Sequence, residues 1–87
     1  MTRGLFSASD LGRAFRENRK SLHKTQTEIA HSVGCQRKTI ADIESGKNVT
    51  IYKLMAALSA LGKGIAIVDA RVDYEQIQEI FRDDDDD

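Results

Sequence analysis

The sequence predicts an all-α domain: a bundle of four core helices, followed by one C-terminal β-strand that pairs across a homodimer. Three observations predict it. Apolar residues recur at the three-and-four spacing of amphipathic helices, most clearly at Ile51, Leu54, Met55, Leu58 and Leu61. Capping residues and glycines divide the chain into short helices, and proline is absent. One segment, GIAIVDA over residues 64–70, breaks the helical pattern with a short β-branched run.

The elements follow in order. Ser7 with Asp10 three residues on, or Ser9 alone, can cap a first helix in which Leu11, Phe15 and Leu22 recur on one face beside Ala14. Arg13, Arg16 and Lys20 fall on its solvated side. Thr25-x-x-Glu28 has the form of a capping box, so a second helix starts near Gln26, with Ile29, Ala30 and Val33 buried and Gly34 supplying the turn. A third helix runs roughly over residues 36–45, turning Ile40 and Ile43 inward, and Gly46 ends it. Thr50 can cap the fourth helix, where Met55 reads as core filler; Gly62 stops it. Ile65, Ala66, Ile67 and Val68 then form a strand with no second strand in its own chain, and an exposed apolar edge is a hazard. Pairing two copies across a two-fold axis resolves it. The alternative is an irregular segment packed over the helices.

Residues 25–46, TQTEIAHSVGCQRKTIADIESG, therefore encode two short helices broken at a glycine, the layout of a helix-turn-helix unit whose second helix reads the DNA major groove. Specificity needs donors and acceptors on the first turns of that helix. It opens with Gln36, Arg37, Lys38 and Thr39, four polar residues before Ile40. Arg or Lys can donate to guanine O6 and N7, and Gln can pair with adenine. Asp42, on the same outward side, can accept from cytosine or orient Arg37 or Lys38. Lys47 and Asn48 follow, where they could clasp a flanking phosphate. Gln26 opens the second helix, whose N–H groups and dipole favour an anion. The competing reading is an ordinary solvated polar face.

The pattern TQ-x-E-[IL]-A-x-x-x-G-x-x-x-x-x-I-x-x-[IFL]-E-x-G, carried here by Gln26, Glu28, Ile29, Ala30, Gly34, Ile40, Ile43, Glu44 and Gly46, resembles the lambda-repressor-like (Xre/Cro) helix-turn-helix family over residues 11–61. The resemblance implies that Gln26 contacts phosphate, that Arg37, Lys38 and Asp42 face bases, and that Thr39, Ser45 and Lys47 lie along the backbone. It also implies a structural ion pair between Arg19 and Glu44. The chain departs from the family at the cap of the third helix, where small hydroxyl residues are common but Cys35 and Gln36 stand. Beyond Leu61, LGKGIAIVDAR is similar to the terminal strand of HipB-type antitoxins. That likeness implies a strand-paired dimer that binds both an operator and a HipA-type kinase toxin.

Net charge is −1, but it is divided. Residues 1–71 carry 12 Lys/Arg and 6 Asp/Glu, giving +6, whereas residues 72–87 carry 1 and 8, giving −7. A basic body and an acidic tail suggest two surfaces with different partners; alternatively the five terminal aspartates keep a disordered end in solution. Within the tail, Ile77, Ile80 and Phe81 can share one face of a short helix. Residues 8–71 thus form the DNA-binding domain with its dimerisation strand, and residues 72–87 the tail.

No run approaches the ~20 apolar residues of a membrane span, and the N-terminus lacks a signal-peptide core. The lone Cys35 fits a reducing, cytoplasmic setting. His23 and His31 have no surrounding cluster suited to zinc, nothing resembles a calcium loop or a glycine-rich phosphate cradle, and Cys35 lacks the signature of a nucleophile. The expectation is no enzyme, no metal and no cofactor. Three functions remain: a repressor that is also the antitoxin of a kinase toxin, a stand-alone regulator of the same fold, and a protein-interaction module that no longer binds DNA.

Overall fold

A computed structural model describes residues 4–69, and these hold four helices: α1 (Ala8–Ser21), α2 (Gln26–Val33), α3 (Arg37–Glu44) and α4 (Ile51–Ala60). Local chemistry sets most boundaries. The Ser7 hydroxyl accepts the Asp10 N–H at 3.0 Å and caps α1. At α2 both halves of the capping box form: Thr25 Oγ1 accepts from Glu28 N at 3.0 Å, and Glu28 Oε1 accepts from Thr25 N at 2.9 Å. Gly34 closes α2 with φ 79°, a left-handed conformation that a side chain would oppose. Thr50 Oγ1 accepts from Lys53 N at 3.2 Å and caps α4.

Phe15, Ile29, Ala30, Ile40, Ile43, Ala57, Leu58 and Leu61 form the core. Helix α3 is its hub, because it packs against each of the other three helices. The helix expected to read DNA is thereby fixed from three sides. Where α1 crosses α3 the backbones nearly touch. A Cβ on Gly12 would meet the Ile43 carbonyl oxygen and stand 2.7 Å from that of Glu44.

The structure departs from the sequence expectations at four places. Leu22 is not on the buried face of α1; the helix stops at Ser21, and Leu22 is its exposed C-cap, just before His23 turns the chain with φ 58°. Helix α3 begins at Arg37, with Gln36 as an extended cap whose side chain makes no capping bond. Met55 is not core filler. It is 43% exposed, beside Ile51 at 74% and Tyr52 at 90%, while small Ala57 takes the fully buried place on α4. Finally, residues 63–69 form neither helix nor strand, and no strand occurs among the described residues. A ladder needs a second strand, and the described residues offer Ile65, Ala66, Ile67 and Val68 none; all four are exposed. The helix and acidic tail expected within residues 72–87 lie outside the described residues.

Candidate nucleic-acid interface

The inner face of α3 is used up by Ile40 and Ile43, which leaves Arg37, Lys38, Ala41, Asp42 and Ser45 on or near its outer side. Arg37 and Lys38 project from the first turn, both exposed. Lys38 Nζ lies 3.1 Å from Asp42 Oδ2 one turn on, and the carboxylate is the more sheltered partner. Of the roles open to Asp42, the free chain thus displays the orientation of Lys38.

Thr39 is half-buried and Gln36 exposed. Ser45 spends its hydroxyl on the Ala41 carbonyl at 2.8 Å, capping α3 from within. Exposed Lys47 and Asn48 follow in the loop, which is anchored by the Lys47 N–H on the Asp42 carbonyl at 2.8 Å. Across a polar recess of about 420 Å³, Thr39, Asp42 and Asn48 face Thr50 and Lys53 of α4. Lys53 was not singled out from the sequence, although a cation three residues past the Thr50 cap was the available signal.

Gln26 is placed differently from the exposed residues. Its amide Nε2 donates to Glu44 Oε1 at 3.1 Å, so one donor is already committed. Its second amide hydrogen remains, as do the backbone N–H groups of Gln26 and Thr27, which have no partner among the described residues. These groups converge at the N-terminus of α2, where the helix dipole favours an anion.

Arg19 braces this corner. Its Nε lies 2.6 Å and its Nη2 3.1 Å from the Glu44 carboxylate, while Nη1 donates to the Lys24 carbonyl at 2.7 Å. Burial pushes the Glu44 carboxyl up, but the hydrogen bonds from Arg19 and Gln26 and the charges of Arg19 and Arg16 outweigh it and hold the group below its ordinary range. Arg19 is raised, chiefly by its bond to Glu44 and against its own desolvation. The Arg19–Glu44 pair implied by the family resemblance is therefore present, and Gln26 is its third member.

The arrangement is a polar, cationic helix face beside a cluster of free N–H groups, on a frame of packed helices. A helix-turn-helix family profile (HTH_3) matches residues 15–68. The chain belongs to this family. Over 57 residues it is 30% identical to the ImmF control region 10 kDa protein of Bacillus phage phi105, and the shared stretch is 66% of this chain and 63% of that protein's length. Among solved structures it is similar to a HipB–O4 20mer complex, with a TM-score of 0.75 and 25% identity over 80% of this chain and all of the HipB chain. A HipA–HipB–O2–O3 complex is also similar in fold, with a TM-score of 0.75 and 24% identity over 80% of this chain and all of the other. Both of these neighbours are HipB structures. Among the described residues no helix is long and apolar enough to cross a membrane.

Proposed function

We propose that this chain is a sequence-specific DNA-binding repressor that acts as a homodimer and serves as the antitoxin of a HipA-type kinase toxin. Arg37 and Lys38 reach base edges, with Asp42 setting the direction of Lys38. Gln26 and the free N–H groups beside it hold a phosphate on one side of the groove. Thr39, Lys47 and Lys53 meet the backbone on the other, and Gln36 and Ser45 lie along the contact. Pairing of residues 65–68 across a two-fold axis sets two such units about one helical turn apart, ~34 Å, on a palindromic operator.

The observation that carries this reading is the coincidence of the cationic first turn of α3 with the uncommitted donors at the start of α2. The likeness to a HipB–operator complex supports the DNA partner, and the likeness in fold to a HipA–HipB complex favours the kinase. A stand-alone regulator is the second reading, favoured by the similarity to a phage control-region protein.

Operator titration over a series of salt concentrations tests the DNA reading. Arg37→Ala should cost about 1–3 kcal/mol on the cognate site and relax specificity at one base position. An unchanged affinity at every salt concentration would remove Arg37 from the interface and favour a module that does not bind DNA. Purification from the native operon separates the other two readings, since only the antitoxin brings down a kinase in fixed ratio.

A further inference from the structure

Residues 4–6 and 63–69 run outside the helices, yet they meet each other. A Cβ on Gly4 would stand 2.8 Å from Val68 Cγ2 and 2.8 Å from the Phe6 ring. Together the two segments and the core helices enclose an apolar groove of about 730 Å³, walled by Leu5, Phe6, Leu11, Leu58 and Val68. Among the described residues, Lys63 is the one charged residue that lines it. Ile67 stands at its rim with its whole side chain in solvent. Among the described residues, no backbone hydrogen bond engages residues 4–6 or 64–69.

We infer that a second copy of this chain covers the groove, with the partner's Ile67 seated in it and residues 4–6 forming one wall of the interface. The inference rests on the two-fold dimer of the proposed function and assigns it residues that the strand alone would not include. Three arguments select a second copy over an unrelated protein. An isologous contact must complement itself, and an apolar patch nearly free of charge does so where a charged one repels its own copy. The open backbone groups of residues 64–69 are what a matching strand would pair with. Area supplies the third. Exposed large apolar side chains present on the order of 100 Å² each, so Ile65, Ile67 and Val68 alone fall well short of the roughly 800 Å² per partner of a stable interface. Leu5, 48% exposed, and Phe6, 57% exposed, carry the patch toward that figure.

The test is a charge-swap between two full-length variants. Ile67→Glu puts a carboxylate on the knob, and Phe6→Lys puts an ammonium on the wall of the groove. In sedimentation equilibrium each variant alone should dimerise at least about tenfold more weakly than the native chain. An equimolar mixture should dimerise more tightly than either variant alone, because one Glu then meets one Lys while the other contact sets a native Ile67 against a native Phe6. If Phe6→Lys loses its helical circular dichroism, Leu5→Lys replaces it in the same role. A groove variant that dimerises natively, or a mixture that dimerises no more tightly than either variant alone, overturns the inference. A native chain that is monomeric at tens of micromolar sinks the dimer reading itself, and neither result bears on the Arg37 titration.

Discussion

Arg19 of α1 holds Glu44 at the end of α3 through two hydrogen bonds, Nε to Oε2 at 2.6 Å and Nη2 to Oε1 at 3.1 Å, and the same carboxylate takes the amide of Gln26 on α2. One buried carboxylate thus ties three helices together at the corner where α3 ends. Both side chains of the pair are at least nine-tenths buried, so removing one leaves the other as an uncompensated charge. Glu44→Gln is expected to lower the unfolding free energy by about 3–5 kcal/mol, a large share of what a domain this small possesses. Urea denaturation measures it directly. A loss below about 1 kcal/mol would mean that the pair behaves as a surface bridge.

The same group sets the acid limit. A carboxyl held below its ordinary value when folded contributes stability that is fully present above the unfolded value, near 4.3, and is lost as pH falls through the folded one. Glu28 acts in the same direction, since the Thr25 N–H and then the Thr25 hydroxyl group lower it. The urea midpoint should therefore be flat from about pH 7 to 5 and fall below about pH 4. In Glu44→Gln the acid limb should be shallower, retaining only what the other carboxylates contribute. Superimposable pH profiles would contradict the assignment.

Gly12 allows a test in which two rules give opposite signs. In an isolated helix, Gly→Ala stabilises by about 1 kcal/mol. Here the added Cβ meets backbone carbonyls of Ile43 and Glu44, which cannot rotate away as a side chain would. Gly12→Ala is expected to destabilise by roughly 1–3 kcal/mol as α1 is pushed off α3. Thermal melts settle the sign, and a stabilised variant would show that the crossing has slack.

What the sequence disclosed and what it withheld divide along chain distance. The capping box of α2, the Gly34 turn and the caps Ser7 and Thr50 all operate within four residues, so residue types alone reveal them. The Gly12 crossing spans more than 30 residues, and the Gln26–Glu44 bond spans 18. Neither leaves a periodic trace; for the first, a glycine inside a helical pattern was the one available signal, and it was not used. Met55 and Leu22 failed for a related reason. Spacing says which residues share a stripe, but only the neighbouring helices decide which edge of the stripe is covered. The outward residues of α3 were legible because burial of Ile40 and Ile43 leaves them nowhere else to point.

The Lys38–Asp42 contact separates stability from recognition. It is an exposed i,i+4 pair, so Asp42→Asn should change the unfolding free energy by less than about 1 kcal/mol. Its effect on DNA should be larger and two-signed. Removing a carboxylate beside the phosphates strengthens binding to random duplex, most at low salt where screening is weakest. Releasing Lys38 from its tether also lets it reach more than one base, so the ratio of operator to random-sequence affinity should fall. Titrating both duplexes at two salt concentrations resolves the effects. If the ratio is unchanged while random-sequence binding tightens, Asp42 contributes charge alone and Lys38 needs no orienting partner.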